Sequence, residues 1–204
     1  MVYFEWKNKK GNFIISNNIT CYYSNYIYFF IVKHIDNKKS VENVRLNYSN
    51  NIIQNVTNNE LTSEEKNNDI INELTLKIDG ENVLGVITIE KINFEGLVYK
   101  GTSVETLDKG VGHIESSPYL NGNVCLAAHN TKELWGNLYK LQNGDKIKYV
   151  SFLGTKEYIV DNIVEISETD WSLLQDTEDN KLTLITCIKN KPFSRLCVQA
   201  TEVI

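Results

Sequence analysis

Three residues near the ends of apolar runs could act together as a cysteine nucleophile with its proton-transfer partner and a cation. Cys187 closes the run "KLTLITC" (181–187), and His129 closes "NVCLAAH" (123–129). If both runs are strands that end at one rim, the imidazole can lie near the thiol and move its proton. Arg195 begins the next run, and a short Ile188–Ser194 loop would bring it back beside Cys187. A cation there would stabilise a thiolate or a developing oxyanion.

Other interpretations of the same residues remain open on spacing alone. A cysteine in a strand is commonly a small buried side chain, and a histidine or arginine at a strand end is commonly a surface group. Cys187 and Cys197 would lie on adjacent strands of a hairpin and could form a disulfide. A zinc site that also used Cys125 and His129 is disfavoured, because four residues of strand separate those two by about 13 Å. No metal or other cofactor is predicted.

The composition indicates one ordinary globular domain with an extension. The chain has 204 residues, of which 42% are hydrophobic and 23% are charged. The net charge is −5 and lysines alternate with acidic residues, which argues against a nucleic-acid partner. The four cysteines form no C-x-x-C pair, so the sequence gives no support to a thioredoxin-like or zinc-ribbon site.

Residues 1–40 and 41–79 differ from the rest of the chain. Lysines and aromatic residues around the apolar stretch Tyr26–Val32 favour an N-terminal membrane anchor, but that stretch is far shorter than the about 20 residues of a span. A packed or disordered segment is the alternative for residues 1–40. Residues 41–79 are predicted as a polar linker followed by a short helix, which would begin at a capping box from Thr62 to Glu65. Its apolar positions would be Ile70, Ile71, Leu74 and Ile78.

From residue 80 to residue 204 the pattern predicts a mostly β domain. Short, β-branched runs alternate with turn residues, which is typical of a barrel or a sandwich. Between the runs, "TKELWGNLYKL" (131–141) is interpreted as one or two helical turns. The predicted strands are "VLGVITIEKI", "NVCLAAH", "DKIKYVSFL", "KEYIVDNIVEI", "KLTLITC" and "RLCVQATEV".

Five motifs, in this order, resemble those of the sortases, the cysteine transpeptidases of Gram-positive cell envelopes. They are "LGVITIEKINFEGLVYKG", "LDKGVGHIESS", "NVCLAAHN", "LWGNLYKLQNGDKIKYV", and "TLITC" followed by Arg195. The resemblance covers about residues 80–204. Two departures are Glu90, where the family has proline, and "YLNGN" in place of a Pro-Gly before the histidine strand. His113 matches a common position of the family that is not catalytic.

The resemblance implies a closed eight-stranded β-barrel and a two-step reaction. Cys187 would attack the Thr–Gly carbonyl of an LPXTG-like sorting signal and form a thioacyl enzyme. His129 would protonate the leaving amine and then activate an incoming amine, such as that of a cell-wall precursor peptide. Arg195 would position the substrate or stabilise the oxyanion. The protein is expected at the extracellular face of the cell membrane.

Substrate contacts and subclass are further expectations. Thr186 and Ala128, next to the catalytic positions, and Trp171 and Leu173, in the segment 167–180, are predicted to contact the sorting signal; a solvent-facing turn is the alternative for that segment. The chain has no Asp-Pro-aromatic lid motif and ends at Ile204 without a second membrane segment. An anchoring, class B/D-like sortase is therefore favoured over a pilus polymerase. The rival functions are a hydrolytic cysteine peptidase on the same site and a non-catalytic barrel that binds envelope peptides.

Overall fold

The computed structural model of the chain describes residues 36–48, 75–78 and 80–203. The contacts within the chain place Val41–Ile204 in one compact unit. Most of the predicted anchor, and the capping box at 62–65, lie outside the described residues. Within those residues, no helix combines the length and the apolar character that crossing a membrane requires.

Strands dominate the described part of the chain. Helix α1 covers residues 36–48 and helix α2 covers Val104–Lys109, and single 3-10 turns cover Glu90–Ile92, Leu138–Lys140 and Ser172–Leu174. The strands are β1 (Leu76–Ile78), β2 (Glu81–Ile89), β3 (Phe94–Lys100), β4 (Val111–His113), β5 (Asn123–Ala127), β6 (Lys146–Ser151), β7 (Gly154–Ser167), β8 (Lys181–Ile188) and β9 (Lys191–Glu202).

Eight of these strands close into a barrel, which confirms the predicted fold class. The strand order is β1-β2-β3-β4-β5-β8-β9-β7-β6, and β6 also pairs with β2. The β2–β6 pairing joins the two ends of the sheet, and β1 stays outside the ring as a ninth strand on β2. Closure leaves the barrel strands without a free edge, which removes the usual template for aggregation.

The barrel interior is filled by alternate residues of each strand. On β8, Leu182 and Leu184 are fully buried, and on β9 Val198 and Ala200 are fully buried. Because β-strand side chains alternate between the two faces, the residues between them point to the outer face. Each fully buried leucine or valine side chain contributes about 1.5–3 kcal/mol to folding. The interior therefore stabilises the strands on whose outer face Cys187 and Arg195 lie.

Helix α1 corrects the prediction of a linker from residue 41. Val41, Val44 and Tyr48 recur at helical spacing and are all buried in the core. The Tyr48 hydroxyl donates to the Val83 carbonyl and accepts from the Leu76 N–H at 3.0 Å. The packed unit thus includes residues 41–48 of this helix. The Asn-rich composition concealed its apolar face.

Two further details differ from the sequence prediction. The predicted helix ending at Ile78 is wrong over Leu76–Ile78, because those residues pair with β2 as strand β1. The predicted Ile188–Ser194 loop is also wrong. A tight turn at residues 189–190 returns the chain at once, with Asn190 in the left-handed region at φ 63°. The register shifts between Cys187 and Ile188, so residues 192–194 bulge from β9.

Candidate active site

Parallel pairing of β5 and β8 brings the predicted histidine and cysteine to the same rim of the barrel. Ala127, the last residue of β5, pairs with Ile185 of β8. His129 follows Ala127 by two positions, and Cys187 follows Ile185 by two positions. Because parallel strands end on the same side of a sheet, the two segments leave the barrel side by side.

Three hydrogen bonds hold these segments together beyond the regular ladder. The Ala128 N–H donates to the Ile185 carbonyl at 3.2 Å. The buried Thr186 hydroxyl donates to the Ala128 carbonyl at 2.8 Å, and Asn130 Nδ2 donates to the Cys187 carbonyl at 2.6 Å. The backbone on both sides of His129 is therefore fixed relative to the backbone of Cys187.

Cys187 and His129 line one open cavity of about 390 Å³. The other lining residues are Asn130, Thr131, Ile188 and Lys189. Cys187 is exposed, and the His129 side chain is 38% exposed. A substrate can therefore reach the thiol and the imidazole from the same side.

Arg195 lies directly opposite Cys187 in the β8–β9 pairing. Its guanidinium is fixed by three acceptors. Nη1 donates to the carbonyls of Pro192 at 2.8 Å and Ser194 at 2.9 Å, and Nη2 pairs with Glu168 at 2.8 Å. The bulge that supplies the two carbonyls thus anchors the cation on the strand next to the thiol.

A carboxylate that the sequence interpretation missed contacts His129. His129 Nε2 lies 3.3 Å from Asp108 Oδ1, and the Asp108 side chain is 67% exposed. Asp108 belongs to α2, which begins at the N-cap Ser103, whose Oγ accepts from the Thr106 N–H at 3.2 Å. Only the cap could be inferred from sequence, because the approach of α2 to His129 depends on the packing of the barrel.

The remaining described cysteines are buried away from the cavity. Cys125 and Cys197 are free, and burial raises the pKa of each thiol to about 12. Cys197 pairs in register with Ile185, and Cys187 is also a free thiol in the structure. Within residues 36–48, 75–78 and 80–203, no group of three or more acidic, histidine or cysteine side chains is arranged to hold a metal ion.

The four predicted substrate-binding residues do not line this cavity. Thr186 and Ala128 are buried, and they hold the rim together through the hydrogen bond between them. Trp171 is 60% exposed. The Leu173 carbonyl accepts from Asn123 Nδ2 at 2.9 Å and from Gln199 Nε2 at 3.2 Å, which fixes its segment against β5 and β9. Contact of these residues with a sorting signal stays a prediction.

His113 lies apart from the cavity and is fully buried. Its Nε2 lies 3.0 Å from the Pro118 carbonyl oxygen and 3.2 Å from Ser117 Oγ. The ring stacks on Tyr119 with 4.6 Å between centroids. Through these contacts, the His113 side chain packs against residues 117–119, in the segment that leads into β5.

The sortase domain model matches residues 87–203, more than half of the chain. That range contains His129, Cys187 and Arg195. The chain belongs to the sortase family. This confirms the resemblance inferred from the five motifs, and it leaves the subclass open.

Named sortases share both sequence and structure with this chain. It is 32% identical to sortase A of Listeria monocytogenes over 129 residues, which are 61% of this chain and 58% of that protein. It is 32% identical to sortase D of Bacillus subtilis over 127 residues, 60% of this chain and 62% of that protein. The structure of a Clostridium perfringens sortase D5 transpeptidase matches with a TM-score of 0.61 at 25% identity, covering 82% of this chain and 98% of that one. The chain spans about three fifths of the length of the curated relatives it matches.

Proposed function

We propose that this sortase is a cysteine transpeptidase that cleaves an LPXTG-like sorting signal between threonine and glycine. The acyl group is passed to an amine of the cell wall. The observation that carries this proposal is the exposed thiol of Cys187 on one cavity with His129, with Arg195 opposite it on the neighbouring strand. Membership of the sortase family supports a transpeptidase-type reaction in general.

In the first step, His129 takes the proton of the Cys187 thiol, and Sγ forms a bond to the threonine carbonyl carbon. The carbon–nitrogen bond to glycine breaks, and His129 gives that proton to the leaving amine. The product is a thioacyl enzyme and a free glycine-containing peptide. No cofactor is required, because the thiol supplies the electron pair and the imidazole carries the proton.

In the second step, an acceptor amine enters the space that the leaving peptide has vacated. His129 takes a proton from the amine as its nitrogen bonds to the thioester carbon, and the carbon–sulfur bond breaks. One amide is exchanged for another, and Cys187 is regenerated. Water in place of the amine would give hydrolysis. Because the cavity is open, water and amine compete for the thioester, and the ratio of hydrolysed to ligated product measures that competition.

Arg195 serves as the cation that orients the sorting signal or stabilises the oxyanion. The guanidinium has five N–H donors. The acceptors of Pro192, Ser194 and Glu168 fix its plane and leave part of its donor set for a substrate carbonyl. Preorganised donors are effective because they need no reorientation when charge develops.

The partners and location follow from the same proposal. Trp171 and Leu173, on the segment 167–180, contact the sorting signal, and Thr186 and Ala128 fix the rim on which it lies.

The donors are secreted proteins that carry LPXTG-like signals, and the acceptor is an amine such as that of a cell-wall precursor peptide. The enzyme works at the extracellular face of the membrane as an anchoring sortase.

The test is a reaction of the full chain with quenched LPXTG-type peptides, with and without triglycine as the amine. Cys187→Ala is the control for the nucleophile, and Arg195→Lys tests the planar guanidinium. We expect a thioacyl mass adduct on Cys187 and a ligated product that depends on the amine.

Three other outcomes would change the proposal. An adduct with hydrolysis alone would indicate a peptidase. No adduct with any peptide, despite alkylation of Cys187, would reject this substrate class. An unreactive Cys187 would favour a peptide-binding barrel.

A further inference from the structure

We propose that Asp108 is a positioning residue that holds the His129 imidazole in its working orientation. The carboxylate lies 3.3 Å from Nε2 and attracts a proton on that nitrogen, which leaves Nδ1 as the nitrogen that exchanges protons at the Cys187 cavity. The consequence for turnover rests on the transpeptidase function proposed above. The orientation of the ring by Asp108 does not rest on that function. It can be tested through the reactivity of the Cys187 thiol, without a peptide substrate.

The contact favours one arrangement of the two ring nitrogens. A neutral imidazole has one N–H donor and one acceptor nitrogen, and an ionised carboxylate can only accept. Because Nε2 lies 3.3 Å from Asp108 Oδ1, the pair is most favourable when Nε2 carries a proton. Nδ1 is then the nitrogen left free to take up or release a proton. In this arrangement a third group orients the base beside a nucleophile.

The fold fixes the position of the carboxylate as well as that of the histidine. The C-terminal end of α2 is closed by a hydrogen bond from the Gly110 N–H to the Thr106 carbonyl at 3.2 Å, and Thr106 is buried. Strand β4 follows immediately, and its residue Gly112 pairs with Ala127 at the end of β5. The segments that carry Asp108 and His129 are therefore joined through neighbouring strands.

The backbone of His129 is already fixed, so the freedom that remains lies in its side chain. The His129 carbonyl accepts from the Thr131 N–H at 2.9 Å and from the Trp135 N–H at 3.1 Å. The Asp108 contact restrains the ring torsions that these bonds leave free. Both side chains are partly exposed, so solvent screens the pair, and its main effect is on orientation.

The experiment is a double-mutant cycle on the full chain with Asp108→Ala and His129→Ala. The readout that needs no sorting signal is the rate of Cys187 alkylation by iodoacetamide, followed by peptide mass mapping. If Asp108 acts through His129, either substitution lowers this rate, because the thiol loses its oriented base, and the double variant adds nothing to His129→Ala. Glu105→Ala, an exposed acidic residue on the same helix, is the matched control and should leave the rate unchanged.

The second readout is turnover of a peptide substrate. We expect Asp108→Ala and Asp108→Asn to lower kcat about tenfold with little change in KM, because a misoriented base affects the chemical steps. Asp108→Glu should recover part of the rate, since it restores the carboxylate. Circular dichroism confirms folding of each variant.

Three results would overturn the proposal: an Asp108→Ala variant indistinguishable from Glu105→Ala, additive effects in the cycle, or faster reactions without Asp108. A failure of the peptide assay alone would instead affect the proposed transpeptidation, because the alkylation cycle would still report the Asp108–His129 coupling.

Discussion

At the scale of single residues, exposure separates Cys187 from the buried Cys125 and Cys197 among the cysteines that the structure describes. The pKa of Cys125 and of Cys197 is raised by burial to about 12, so neither forms appreciable thiolate near pH 8. In a Cys21→Ser background, we expect one thiol to react rapidly with Ellman's reagent in the native state and three to react in urea. A second fast thiol, or recovery of a thiol only after mild reduction, would contradict this and would revive the Cys187–Cys197 disulfide.

His113 should make the stability of the fold depend on pH. Burial lowers its pKa below the ordinary value, so the unfolded chain binds a proton that the folded chain rejects. The free energy of unfolding should therefore fall as pH decreases from about 7 to 5, by at most about 1.4 kcal/mol per pH unit. His113→Gln should flatten this slope in urea titrations. Equal slopes in the wild-type protein and the variant would rule out His113 as the cause.

The candidate catalytic residues could be selected from the sequence, but the contacts that support them could not. Cys187 and His129 follow apolar runs, and the sortase-like motifs set them apart from other cysteines and histidines. Asp108, Asn130 and Glu168 carry no comparable signal. Their contacts join segments that are 21, 57 and 27 positions apart in the chain, so they depend on tertiary structure.

The β8–β9 turn is the element that brings Arg195 back to Cys187. Asn190 occupies the left-handed region, which asparagine tolerates and β-branched residues disfavour. We expect Asn190→Val to lower the free energy of unfolding by about 1–2 kcal/mol, and Asn190→Gly to leave it nearly unchanged. Urea titrations of both variants, with Lys189→Val as the neighbouring control, check this. An Asn190→Val variant with an unchanged free energy of unfolding would mean that the turn readily adopts another conformation.

Secondary structure was predictable where apolar and polar residues alternate clearly along an element. Strands β6 and β8 show this alternation over most of their length, and their positions were inferred to within about two residues. Helix α1 was missed because Val41, Val44 and Tyr48 are isolated among polar residues. The turn after Ile188 was also missed, because the residues Pro192 to Ser194 suggest a loop unless the pairing of Ile188 with Lys191 is known.

Closure of the whole barrel depends on a close approach between β2 and β6. A Cβ added at Gly85 would lie against the Val150 carbonyl, 2.9 Å from the Tyr149 ring and 3.0 Å from Ser151 Cα. Gly85→Ala should destabilise the protein near the upper end of the about 1–3 kcal/mol range for overpacking, because backbone must move. Gly154→Ala meets only the Leu120 side chain at 3.1 Å and should cost less. Similar midpoints of urea unfolding for the two variants would contradict this.

The mostly β class was predictable from the pattern, and the closed eight-stranded barrel followed only from the family resemblance, whereas the order of the strands was not predicted. Turn spacing and alternation predict many short strands, and either a barrel or a sandwich satisfies them. The parallel β5–β8 neighbours, and the β2–β6 pair that closes the ring, are long-range pairings. Periodicity along the chain carries no information about such pairings.

The parallel pairing of β5 and β8 also determines when the proposed active site can form during folding. His129 and Cys187 are 58 positions apart, and α2 precedes both. A nascent or unfolded chain therefore carries a bare thiol with no imidazole near it. Contacts between residues so far apart in the chain form slowly, so Cys187 and His129 come together only after most of the barrel has assembled. The rate at which Cys187 acquires its native reactivity during refolding should thus report the arrival of the complete fold.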